Sequence, residues 1–227
     1  METKFHAMPS VFVMEHDVPA EMVTDLNLYL DNYLKQKKRK SLAGTLVGQI
    51  KKGQQLLMDH EDKKIVEFSN MLCGLGAHYI NEFSRATGAT YKTNKQVAMD
   101  ELWSVHSYER DYNPIHSHGT KTLMGISATM WTKVPQQILD QPTAGTSDYS
   151  LYNSSGHSDG CLAFQYGQGH VTDGETLKPA PSFVIRPEVG KLYLFPSWLQ
   201  HMVYPFQGKG ERRTVAANLN CWDVQAA

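Results

Sequence analysis

Apolar residues near the start of the chain recur at helical spacing. Met22, Leu26, Leu30, Tyr33 and Leu34 fall on one face of a 3.6-residue period. Pro19 stands just before them, where its missing N–H costs no hydrogen bond. The spacing predicts a first helix that runs into the basic stretch KQKKRK at 35–40. A second face, Ile65, Phe68, Leu72, Leu75, Tyr79 and Phe83, predicts a helix over about 62–83, with Gly88 beyond its end. Residues 41–56 between the helices read as irregular chain or a short strand.

After residue 95 the period shortens. Short apolar runs alternate with Gly, Pro, Asn and Asp: QVAMDELWSVHSYE, TLMGISATMWTKV, CLAFQY, SFVIRP, KLYLFPS and TVAANLNCW. Short strands with turn punctuation predict a β-sandwich or barrel. The expected architecture is mainly β with N-terminal helices: a helical portion, 1–95, packed on a double-stranded β-helix (jelly-roll) core, 96–227. Residues 133–160 interrupt the strand series with a polar stretch rich in Gly, Ser and Asp. Long connections of this kind are usually functional or disordered, and this one is expected to form a mobile lid or a substrate-selecting loop at the barrel mouth.

Composition narrows the field. Of 227 residues, 41% are hydrophobic and 20% charged, enough to build a sizeable core. A net charge of -1 gives no general reason to bind nucleic acid or an anionic membrane. The KQKKRK run can touch nucleic acid, but cations also suit a helix C-terminus. No segment reaches the roughly 18 apolar residues of a membrane span, and the first residues lack a signal-peptide core. A cytoplasmic protein is expected. Cys73, Cys161 and Cys221 are widely spaced, which excludes a thiolate zinc finger.

The candidate chemistry starts at His116 and His118. In extended chain, residues two apart share a face, so both imidazoles can point at one atom. Pro114 biases its predecessor away from helix. Alone, the pair suits polar decoration as well as a metal clamp. Further on, Gly190 marks a turn, KLYLF reads as a buried strand, PSW turns the chain, and His201 opens the next strand. Alone, His201 suits a satisfied core histidine. Finally, Arg212, Thr214 and Asn218 share one face of a last strand. An arginine there is a solvated edge residue or a buried fork that grips a carboxylate.

Taken together, the His-x-His pair, the block GKLYLFPSWLQH at 190–201, and the strand RRTVAAN at 212–218 resemble the iron(II)/2-oxoglutarate-dependent oxygenase superfamily. They look most like a microbial and phage-type branch with a tryptophan strand, here Trp103. The resembling region spans about 97–222. The resemblance implies a jelly roll and a mononuclear iron(II) on His116, His118 and His201. It also implies that 2-oxoglutarate chelates this metal while Arg212 and Thr214 bind its distal carboxylate. O2 is the co-substrate, succinate and CO2 are released, and a small-molecule or peptide substrate is hydroxylated. Tyr108 adds a hydroxyl to the 2-oxoglutarate site, or is a core tyrosine.

The chain departs from the pattern at position 118, where most of the superfamily has an aspartate. A three-histidine site has one negative charge fewer, unless Asp111 or Glu109 fills the place. Thr214 replaces the commoner serine, and Arg213 competes with Arg212 for the fork, but the face shared with Thr214 and Asn218 selects Arg212. Two rival readings stand beside this one. A cupin also carries metal on a jelly roll, but the glutamate expected after the histidine pair is absent. A non-enzymatic jelly-roll domain would make the histidines incidental.

Overall fold

The computed structural model describes residues 11–42, 44, 48, 54–91, 94–140, 158–167 and 182–224. Helix α1, Ala20–Lys35, starts after Pro19 and buries Val23, Leu26 and Leu30. Helix α2, Val66–Thr87, buries Phe68, Leu72, Tyr79 and Ile80. It ends on Gly88 at φ +70, the left-handed conformation that glycine takes without a Cβ penalty. Gly76 brings α2 close to the underlying sheet: a Cβ there would meet Leu219 and Val97 side-chain atoms at 2.9 Å.

The helices lie on a six-stranded antiparallel sheet. Its strands are β1 (Met14–Asp17), β2 (Gln54–Leu57), β3 (Asn94–Ser107), β5 (Gly125–Lys133), β8 (Lys191–Pro196) and β10 (Arg212–Val224). Their order is β1-β8-β5-β10-β3-β2. A smaller antiparallel sheet runs β4-β9-β6-β7, from β4 (Asn113–His116), β6 (Leu162–Gln165), β7 (Ser182–Ile185) and β9 (Gln200–Val203). A single turn of helix, α3 (Gln136–Leu139), follows β5. The two facing sheets form the jelly roll.

Period-two alternation divides the core in two. On one face of the large sheet, Leu102, Val215, Ala217 and Leu219 pack with Leu26, Leu30, Phe68 and Leu72 of the helices. Between the sheets, Trp131, Leu162, Phe164, Tyr193, Phe195 and Leu199 form a second cluster.

Strand β1 was not expected among the N-terminal helices. Its sequence, MEHD, has no apolar alternation. Cross-strand charge supports it instead: Lys191 of β8 pairs with Glu15 and Asp17, and the Tyr193 hydroxyl donates to Glu15. Most of the expected lid, residues 141–157, lies outside the described residues. Its two shoulders are anchored. The Gln137 amide donates to the Lys209 carbonyl, and Gly160 N–H donates to the Pro205 carbonyl at 2.9 Å.

A polar network ties α1 to the start of β10. The Ser104 hydroxyl and Glu211 flank His106, at 2.9 Å from Nε2 and 2.6 Å from Nδ1. Arg213, with a side chain only 1% exposed, donates to both Glu211 oxygens, to Asp31 and to Asn27. Burial by itself pushes the Glu211 carboxyl up, but hydrogen bonds from His106 and Arg213 outweigh it and hold it at about 2. A carboxylate depressed on folding stabilises the fold above its unfolded pKa and loses that effect as pH falls through the folded one. Glu211→Gln should therefore cost about 2–3 kcal/mol at neutral pH, since it leaves Arg213 buried with fewer partners. The wild type should lose the same contribution between about pH 4.5 and about pH 2. Urea denaturation of both proteins at pH 7 and pH 3 checks this: the gap should narrow at the lower pH.

Candidate metal centre

Strand register decides which histidines meet. His116 ends β4 and His201 lies in β9, and the two are direct partners across the ladder, with ring centroids 4.3 Å apart. His118 lies just past the end of β4. Its N–H donates to the Ser197 carbonyl at 2.9 Å, which holds its ring over His201, centroids 5.0 Å apart. Trp103 flanks His118, and Phe195 meets His201 edge-on at 4.9 Å. One potential ligand atom from each of the three histidines lies within 4.8 Å of the others.

Backbone carbonyls set two of the tautomers. His116 Nδ1 donates to the Pro114 carbonyl at 2.7 Å, and His201 Nδ1 donates to the Leu199 carbonyl at 2.9 Å. Each Nε2 is left with a lone pair, the arrangement that orients histidines on metals. Burial pushes His116 down; burial and the neighbouring His116 push His118 to about 4. Burial with His116 and His118 takes His201 to about 3. Neutral imidazoles are what a metal needs. His118 Nε2 stands 3.2 Å from His201 Nε2, where a neutral His118 can donate to the His201 lone pair and a metal would take the place of the shared proton. That spacing suits adjacent donors on one ion with bonds of about 2.1 Å. The donor set therefore fits a divalent first-row metal.

The histidines open onto a cavity of about 410 Å³ between the two sheets. Alternation on β10 sends Arg212, Thr214, Ala216 and Asn218 into it, while β3 contributes Glu101, Trp103, Val105 and Ser107. Arg212 is buried. Its Nη1 donates to the carbonyls of Gly160 and Tyr204, and its guanidinium stacks on Phe206. Its Nε is buried with no hydrogen-bond partner among the described residues. Burial pushes the guanidinium down to about 10, so it stays charged at neutral pH. A buried charged fork with an unused donor, on the wall facing the histidines, fits an anionic ligand.

Tyr108 and the alternatives weighed beside the chosen residues fall elsewhere. Arg213 points to the helix face, spent on Glu211 and Asp31. Tyr108 does not line the cavity. It follows the even positions of β3, and burial together with the nearby Glu211 carboxylate pushes its phenol up. Tyr112 lines the cavity instead, as do Asn113 and Gln55, which the sequence reading did not single out. Asp111 and Glu109 are outside the histidine group. An Asp111 carboxylate oxygen accepts from Tyr108 N–H, and Glu109 accepts from Gly208 N–H.

Against known proteins, the sequence model of a family described as 2OG-Fe(II) oxygenase matches residues 101–218. No curated protein matches by sequence. Solved structures share the fold. A Pseudomonas putida prolyl-4-hydroxylase superposes with a TM-score of 0.56 at 13% identity, over 92% of this chain and 91% of that one. HygX from Streptomyces hygroscopicus, with nickel and 2-oxoglutarate bound, gives 0.54 at 8% identity over 92% and 82%. AviO1 from Streptomyces viridochromogenes Tue57 gives 0.54 at 9% identity over 91% and 88%. At such identities these structures speak for the fold alone. The family match spans both the histidine pair and the Arg-x-Thr strand, and covers more than half the sequence. The chain belongs to the iron(II)- and 2-oxoglutarate-dependent oxygenases.

Proposed function

We propose that His116, His118 and His201 hold the iron, and that Arg212 with Thr214 binds the distal carboxylate of 2-oxoglutarate. The observation that carries this reading is the cavity itself. Three neutral imidazoles converge on one wall, and a buried arginine with an unused Nε lies on another. With iron bound, the chemistry supplied is oxidative decarboxylation of 2-oxoglutarate by O2, with release of succinate and CO2 and oxidation of a substrate C–H bond.

The protein's part is positioning and exclusion. Arg212 donates two fixed N–H directions to a carboxylate, which a flexible ammonium cannot reproduce. The Thr214 hydroxyl, two residues on and on the same face, adds a further donor. Trp103, Val105, Leu162 and Phe195 line the walls and keep water from the reacting atoms. The cavity suits a small molecule or one side chain of a peptide, hydroxylated at the carbon nearest the metal. Cys73, Cys161 and Cys221 form no disulfide, which fits a reducing compartment such as the cytoplasm. No helix among the described residues is long and apolar enough to cross a membrane.

The test is turnover without a known substrate. Iron-loaded protein given 2-oxoglutarate and O2 should form succinate slowly, one for each 2-oxoglutarate consumed, and a chelator should stop it. Metal binding with no 2-oxoglutarate consumption and no 2-oxoglutarate affinity would favour a cupin-like metal protein instead.

A further inference from the structure

We infer that the side-chain amide of Asn113 supplies an oxygen donor to the metal and completes the three-histidine set. This rests on the histidine assignment above. Asn113 opens β4, three residues before His116, and its Nδ2 lies 3.3 Å from His116 Nε2. That nitrogen carries the lone pair, because His116 Nδ1 donates to the Pro114 carbonyl. The amide of Asn113 thus sits against the same atom that would face the metal. Once a metal takes that lone pair, the Asn113 N–H loses its acceptor.

The other end of the amide is also unsatisfied. Asn113 Oδ1 is buried with no hydrogen-bond partner among the described residues. It packs under the backbone of Gly48, where an added Cβ would lie 2.7 Å from Oδ1 and 2.3 Å from the Tyr112 carbonyl oxygen. A half-turn of the amide exchanges the two ends. The oxygen then stands beside His116 Nε2, at the spacing of adjacent donors on one ion with bonds of about 2.1 Å. Nitrogen and oxygen of an amide are nearly equal in size, so the half-turn displaces no neighbour. The rotation gives the buried, unpartnered oxygen a partner, and it is favourable only with metal present.

The chemistry suits the site. Three imidazoles bring no negative charge, and an amide oxygen adds a hard donor without changing that. A carboxylate at the same place would neutralise part of the ion's charge and hold it more tightly.

Cobalt(II) titration of the metal-free full chain, read through its visible d–d absorption in the absence of 2-oxoglutarate, tests the assignment. Asn113→Leu, similar in size and without a donor, should weaken cobalt binding by about 10-fold and shift the bands. Asn113→Asp should tighten binding by about 10-fold and also shift them. Wild-type affinities and unshifted bands in both variants would overturn the inference. His201→Ala run in parallel separates the two levels. If it loses cobalt while the Asn113 variants match wild type, only the amide is misassigned. If it keeps cobalt, the histidine reading has failed.

Discussion

His201→Ala should abolish stoichiometric iron(II) or cobalt(II) binding and all succinate formation, a loss of metal affinity greater than about 100-fold. His201 occupies the centre of the group. It faces His116 across the β4–β9 ladder and stacks on His118, and its Nδ1 is committed to the Leu199 carbonyl. The variant should still fold. Removing the imidazole costs its hydrogen-bond contact with His118 and opens a small void at the cavity wall, with no charge left buried. Circular dichroism should match wild type, and equilibrium dialysis against cobalt(II) should show the loss. A variant that binds metal like wild type would remove the histidine centre from consideration.

Arg212→Lys should weaken 2-oxoglutarate binding by about 10- to 100-fold while leaving metal affinity unchanged. The estimate follows from the 1.5–3 kcal/mol typical of a hydrogen bond to a charged group. Lysine keeps the charge and can still donate to the Gly160 and Tyr204 carbonyls, which the arginine Nη1 now serves. It lacks the second fixed N–H direction, the one at Nε that has no partner among the described residues. Calorimetric titration of 2-oxoglutarate into anaerobic, iron-loaded wild type and variant measures the difference. Equal dissociation constants would show that the co-substrate carboxylate binds elsewhere. Equal metal affinity in the two proteins rules out a collapsed site as the cause.

Much of the layout was legible from periodicity. The helical faces around Leu26 and Leu72 pack where their spacing points, because only a 3.6-residue stripe can bury against a sheet. The alternation of RRTVAAN put Arg212 in phase with Thr214 and Asn218, and all three line the cavity. Strand β1 escaped notice because its stability comes from Lys191 and Tyr193, far along the chain. Tyr108 and Tyr112 could not be ranked by sequence position. The end of β3 at Ser107 and the turn through Arg110, at φ +67, decide which tyrosine reaches the cavity.

The sequence by itself determined the class of protein: helices first, then short strands, with a His-x-His pair and an Arg-x-Thr strand that carry a family resemblance. Those features are local, and a period or a motif is readable wherever neighbours in sequence set it. The tertiary structure alone decided which groups meet. His116 and His201 are partners because β4 and β9 pair in one register, and a shift of one residue would turn one of the rings to the other face. Arg213, turned to the helices by strand alternation, finds Asp31 on α1 as its partner, and Asn113 gains its place beside His116 from the fold of β4 under Gly48. Contacts between distant segments depend on register and on which face is buried, and no stretch of sequence records either by itself.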